Sequence, residues 1–153
     1  MPLLVLVSLA ACSDEPGPAQ PEPIFPSDFE TTFQETRSCR FSHDHELRSI
    51  RVFADAAAAE PYTTWSKPYP ARATIVKIEY EDDQCTEVQG YSAMQKLEPG
   101  ADPVNGDWLW QKLDAKRVVS SAEDIPSRCL DCHEYHCRPP YGFDLACGED
   151  LPF

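Results

Sequence analysis

Cys129-Leu130-Asp131-Cys132-His133 sets two thiols three positions apart, with an imidazole directly after the second. Two thiols at this spacing can add across the two vinyl groups of a haem, and the adjacent imidazole then ligates the iron from one face. The pattern predicts one covalently bound haem c, attached through Cys129 and Cys132 and ligated by His133. With this composition a chance match is on the order of one in a hundred. Two other chemistries compete. Cys129, Cys132, His136 and Cys137 are four soft ligands for zinc, but structural zinc sites usually part their ligand pairs by about a dozen residues so that a loop can wrap the metal. A redox-active C-x-x-C is the third reading, and no thioredoxin-like βαβ pattern surrounds it.

The chain has seven cysteines in 153 residues. Leu9-Ala10-Ala11-Cys12 ends an apolar run and looks like a bacterial lipobox, in which a peptidase cuts before the cysteine and its thiol is acylated. No Lys or Arg precedes the run; an ordinary secretory signal or a buried first strand is the competing reading. With Cys12 given to lipid and Cys129 and Cys132 to haem, an even set remains: Cys39, Cys85, Cys137 and Cys147. An exported protein meets oxidising surroundings, so disulfides are expected. Three pairings are possible. The favoured one is Cys137–Cys147, closing a short loop, with Cys39–Cys85 joining the start of the domain to a strand end. Localisation on the periplasmic side of a bacterial membrane, held by a lipid anchor, follows from the same reading.

A net charge of −13 excludes nucleic-acid binding through a basic footprint. No run of 18 apolar residues is present to span a bilayer as a helix. The organisation expected is a signal segment over 1–11, a Pro-rich and acidic tether over 12–37, and a haem domain over 38–153. Alternation and β-branched residues predict strands over Leu47–Phe53, Ala73–Tyr80, Tyr91–Leu97 and Trp108–Leu113, the last entered by a turn at Asn105-Gly106-Asp107. Asp55–Glu60 reads as a short helix stopped by Pro61, and a second helix is expected near the C-x-x-C-H motif. The fold class is α+β, mainly β: an antiparallel sheet of four to five strands with short helices, the haem packed at the sheet's end.

In this order the pieces resemble the cytochrome P-460 family and its sister group, the cytochromes c′-beta. The resemblance rests on Glu46-Leu47-Arg48, the Ala-rich helix with Tyr62 and Trp65, Thr74-Ile75-Val76-Lys77, Ala93-Met94-Gln95-Lys96, Gly106-Asp107-Trp108-Leu109-Trp110 and C-x-x-C-H. It implies a mainly antiparallel β fold, a homodimer, and one five-coordinate haem with His133 as proximal ligand. It also implies that Lys77 matches the lysine linked to the porphyrin in P-460 members, which oxidise hydroxylamine, and that Arg48 matches a distal-pocket arginine. The c′-beta members instead bind nitric oxide in an apolar pocket. The cysteine-rich segment from Cys137 to Cys147 departs from the family pattern.

The residues themselves leave alternatives open. Lys77 shares a strand face with Ile75 and Glu79, and a mixed face of this kind is usually solvated. Glu123 and Asp124 could place a carboxylate near the iron as a proton relay, or could be helix N-terminal acids after Ser120-Ser121. His43 or His45 could supply a second axial ligand, as could Met94; a solvated loop and a core methionine are the plainer readings. Trp108 and Trp110 read as core or haem wall, and His136 as a neighbour of the haem edge. The expected function is redox chemistry on small uncharged nitrogen compounds at an open haem iron. A nitric oxide-binding module, a plain electron carrier and a zinc- or disulfide-stabilised structural lipoprotein are the rivals. The acidic surface would steer a basic redox partner without repelling uncharged substrates.

Overall fold

The computed structural model describes residues 20–43, 45–65, 67–120 and 125–148. Five strands form one antiparallel meander, each pairing with its neighbour in sequence: β1 (Gln34–Ser42), β2 (Arg48–Ala54), β3 (Thr74–Tyr80), β4 (Val88–Lys96) and β5 (Trp108–Asp114). The described α-helices are α1 (Phe29–Thr32), α2 (Ala59–Thr64) and α3 (Ile125–His136), and a small hairpin, β6 (Gly142–Phe143) and β7 (Ala146–Cys147), follows α3. This is the mainly β, antiparallel architecture that the sequence predicts, and the four predicted strands lie within one to three residues of the observed ones.

Strand alternation gives the sheet two faces, and both are covered. Val76, Ile78 and Tyr80 of β3 join Phe53, Tyr91 and Leu113 on one face. Ile75 of β3 joins Ile50, Val52, Met94, Trp108 and Trp110 on the other, where α3 packs against β5. Lys77 and Glu79 therefore sit on an interior face, and Glu79 is only 1% exposed.

Two corrections concern the N-terminal half. The tether expected to run to Arg37 ends earlier. Phe25 and Phe29 are buried, α1 and the start of β1 fall within the expected tether, and Phe29 makes edge-on contacts with Phe25, Phe53 and Tyr91 at 5.0, 5.4 and 6.1 Å. The prolines mask an aromatic series, Phe25-Phe29-Phe33, that covers the second face of the sheet. β1 was hidden because it is an irregular edge strand, with register shifts between Glu35 and Arg40 and charged residues in place of alternation. The second correction is α2, which begins at Ala59 instead of ending at Glu60. Asp55 explains the shift: its Oδ1 accepts from the backbone N–H of Ala57 and Ala58 (3.0 and 2.8 Å), and its Oδ2 from Thr74 N–H (3.0 Å). This builds a turn ahead of the helix and pins it to β3. Pro61 then lies in the first helical turn, where a missing N–H costs nothing.

Both favoured disulfides are present. Cys39–Cys85 ties the edge strand to the β3–β4 connection, and Cys137–Cys147 ties the end of α3 to β7. Closing a loop of 46 residues removes about 4 kcal/mol of unfolded-chain entropy, and one of 10 residues about 3 kcal/mol.

The burial of Phe29 predicts that Phe29→Ala lowers unfolding stability by about 3–5 kcal/mol in a denaturant titration. A residue in a solvated tether would leave the transition unmoved.

Candidate functional site

Spacing on α3 assembles the site. Positions i, i+3 and i+4 share one helical face, so Cys129, Cys132 and His133 point together toward the sheet, while Asp131, Glu134 and Tyr135 face solvent. Between that face and the sheet lies a cavity of about 360 Å³. Cys129, Cys132, His133 and Lys77 all line it, so the attachment motif and the strand lysine, 52 residues apart from Lys77 to Cys129, are brought together. Neither Cys129 nor Cys132 is in a disulfide. Val52, Tyr62, Ile75, Met94 and Trp110 give the cavity an apolar wall.

His133 is held by one backbone contact. Its Nδ1 lies 2.6 Å from the carbonyl oxygen of Leu145. A carbonyl only accepts, so Nδ1 carries the proton and Nε2 is left with its lone pair, the arrangement that ligand histidines use. The Trp110 ring packs edge-on to the imidazole at 4.9 Å. Burial, and then the charge of Lys77, hold the His133 pKa down to about 4, so the ring is neutral.

The Leu145 carbonyl is itself set by a strained turn. Asp144 and Leu145 form the two-residue loop between β6 and β7, both left-handed at φ 50° and 66°, a conformation that hairpins usually fill with Asn-Gly. Three contacts hold Asp144 there. Lys96 Nζ and Tyr69 N–H donate to its carboxylate at 2.8 and 3.2 Å, and Trp108 Nε1 donates to its carbonyl at 2.9 Å. Gly142 lets this hairpin dock, because a Cβ there would lie 2.4 Å from Ala146 O and 3.1 Å from the Cys137 carbonyl carbon.

The sheet side of the cavity carries charge. Glu79 accepts from Ser92 Oγ at 2.6 Å and forms an ion pair with Lys112 Nζ. Lys77 Nζ contacts His45 Nε2. Burial pushes the Lys77 amine down to about 8, partly opposed by the Glu79 charge. A sizeable neutral fraction near neutral pH makes this amine a nucleophile. Burial likewise raises the Cys129 thiol and keeps it protonated.

Several expected residues are not in the cavity. Arg48 is drawn to the surface by Glu81 and Glu46, at 2.7 and 3.6 Å, and lines a separate shallow groove. It does not act as a pocket donor here; Arg128, one residue before Cys129, does line the cavity. His43 is exposed and packs on Phe41, while His136 sits beside Tyr135 at the end of α3. Trp108 is core, and Met94 is a core residue that reaches the cavity wall. Glu123, Asp124 and Cys12 lie outside the described residues. Sequence reasoning missed Glu79 because a face shared by Ile75, Lys77 and Glu79 reads as solvated, and nothing in the pattern singled out Ser92 or Lys112 as its partners.

The site also sorts the competing chemistries. The zinc set loses Cys137 to its disulfide with Cys147, and among the described residues no group of three or more His, Cys, Asp or Glu side chains converges to hold a metal. A c-type haem asks for something else: two thiols outside any disulfide, one neutral imidazole with its far nitrogen fixed, and an apolar cavity beside them. These residues supply each of them, and Trp110 Nε1, buried without a hydrogen-bond partner at the wall, offers a donor to a bound group.

Two measurements test this geometry. Asp144→Ala removes the acceptor for Lys96 and should cost about 1–3 kcal/mol of stability in a thermal melt. With no group bound, the unfolded chain binds a proton on His133 between its ordinary pKa of 6.5 and about 4 while the folded chain does not. Stability is therefore full above pH 6.5 and falls by roughly 3 kcal/mol as the pH drops to 4. His45 is depressed in the same direction by burial and by Lys77, so the slope should flatten in the His45→Gln/His133→Gln protein. No family model matches this chain, and no curated protein is significantly similar to it.

Proposed function

We propose that the protein is an exported, lipid-anchored c-type monohaem cytochrome of the P-460 and c′-beta type, acting on small uncharged nitrogen compounds, hydroxylamine above all. The observation that supports it best is the convergence of Cys129, Cys132, His133 and Lys77 on one cavity. The two disulfides suit an oxidising compartment, and a homodimer follows from the family resemblance. The Cys12 lipobox supports the anchor.

Bound haem would supply the redox centre for withdrawing electrons from hydroxylamine and passing them to a partner protein. The chain's own residues do the rest. Cys129 and Cys132 would hold the group through thioethers, and the Leu145 carbonyl orients His133 so that Nε2 would be its ligating nitrogen. Lys77 offers an amine that is partly neutral near pH 8, as a covalent link to the porphyrin requires. Oxidation of hydroxylamine releases protons, and the Glu79 carboxylate at the cavity wall, steadied by Ser92 and Lys112, is the base placed to take them. A second reading, a nitric oxide-binding module without the lysine link, draws support from the apolar wall of Val52, Ile75 and Met94.

Absorption spectra of the protein matured in a haem c-attaching host, before and after dithionite, test this function. A ferrous Soret band shifted far to the red, collapsing to an ordinary c-type spectrum in Lys77→Ala, is the expected outcome. A normal c-type spectrum unchanged by Lys77→Ala would sink the crosslink and leave nitric oxide binding. Absence of haem, with Cys129→Ala/Cys132→Ala indistinguishable from the parent, would overturn the cytochrome assignment.

A further inference from the structure

The cavity holds a second imidazole besides His133. His45 lies in the short β1–β2 connection, and its ring lines the same cavity. Its Nδ1 is tied to Ser42 Oγ at 3.0 Å, so Nε2 is the nitrogen left toward the cavity, where it meets Lys77. Its partner across the space is His133, whose Nδ1 is likewise tied back, to Leu145 O. Two imidazoles, each fixed through Nδ1 and each with Nε2 uncommitted to backbone, therefore border one apolar space.

Their separation is informative. Metal–imidazole bonds run about 2.0–2.1 Å and an imidazole nitrogen lies about 1.1 Å from its ring centre, so two imidazoles on opposite sides of one metal ion have centres about 6.3 Å apart. The centres of His45 and His133 are 6.4 Å apart, with ring planes at 80°. The Trp110 and His133 rings, in edge-on contact, lie closer, at 4.9 Å.

The loop that carries His45 is also strained. The two residues after it, Glu46 and Leu47, are both left-handed at φ 55° and 58°. Neither is glycine, so both positions carry backbone strain. The loop joins an edge strand to its neighbour, and Leu47 is exposed. A ligand carried on such a segment is held less firmly than one on α3, which the Cys137–Cys147 disulfide and the Leu145 carbonyl both restrain.

We propose that His45 is a second axial ligand, opposite His133, so that the resting iron is six-coordinate and small ligands bind by displacing His45. This rests on the cytochrome reading above and refines it: the iron is gated by a strained loop, and is not permanently open.

The holoprotein tests it directly. Haem content by pyridine haemochromogen comes first, because protein without covalent haem ends the underlying reading irrespective of His45. With haem bound, the ferric parent should show low-spin absorption and electron paramagnetic resonance signals. His45→Ala should turn them high-spin, and carbon monoxide should bind the ferrous variant at least tenfold faster than the parent. His45→Met, a second variant that keeps bulk in the loop, should give a methionine-ligated spectrum, and added imidazole should restore the low-spin signal to His45→Ala. His43→Ala, altering the exposed neighbour, should change nothing. A high-spin parent indifferent to His45→Ala overturns the proposal while leaving the cytochrome intact. So does a low-spin parent that turns high-spin in Lys77→Ala and not in His45→Ala, which would make the lysine amine the ligand.

Discussion

A strand delivers alternate side chains to opposite faces, and in this protein neither face of the central strand reaches water. Everything at the site depends on that. β3 presents Val76, Ile78 and Tyr80 to an aromatic core completed by Phe25 and Phe29, so Ile75, Lys77 and Glu79 must point into the layer beneath α3. Two ionisable groups on an interior face would be costly in a filled core. They are tolerated because the layer is not filled: a cavity of about 360 Å³ opens beside them, Glu79 is ion-paired with Lys112 and accepts a hydrogen bond from Ser92, and burial lowers the Lys77 pKa toward the neutral amine. The aromatic packing on one face thus dictates the polarity available on the other.

The C-terminal segment works as a clamp on α3. One side of the helix carries the thiols and His133; beyond its end the chain reverses through a left-handed turn, and the Cys137–Cys147 disulfide joins helix to hairpin. Lys96, Trp108 and Tyr69, drawn from the β-sheet layer and its approach, hold Asp144 in that turn. The short hydrogen bond from His133 to Leu145 is the product of the whole arrangement. It fixes a tautomer, and through it which imidazole nitrogen is available for chemistry.

The strands with β-branched alternation were legible in the sequence because they follow from period alone, and so was the presence of a helix at the C-x-x-C-H motif. The disulfide pairing was legible once the C-x-x-C-H cysteines were set aside. What could not be read was burial. Lys77 on β3 looks the same whether its face meets water or a cavity, and only the position of α3 decides. Arg48 looked like a pocket residue by resemblance, yet two nearby carboxylates hold it at the surface. Phe25 and Phe29 were obscured by the prolines around them, and α2 was misplaced because Pro61 was taken as a stop when Asp55 had already moved the start. In each case a long-range partner outweighed a local signal.

The disulfides have a consequence for how the cysteines are kept apart. Cys132 lies on α3 and Cys137 directly follows its last residue, close enough in sequence to be natural rivals for oxidation. Pairing Cys137 with Cys147 removes that rival, and pairing Cys39 with Cys85 occupies the other two thiols at the far edge of the sheet. Among the described residues Cys129 and Cys132 are the two cysteines left outside disulfides, on a helix whose geometry keeps them side by side. The fold therefore keeps the cysteines sorted: the cross-links join partners that the hairpin and the edge strand bring together, and Cys129 and Cys132 stay outside them, adjacent on the helix.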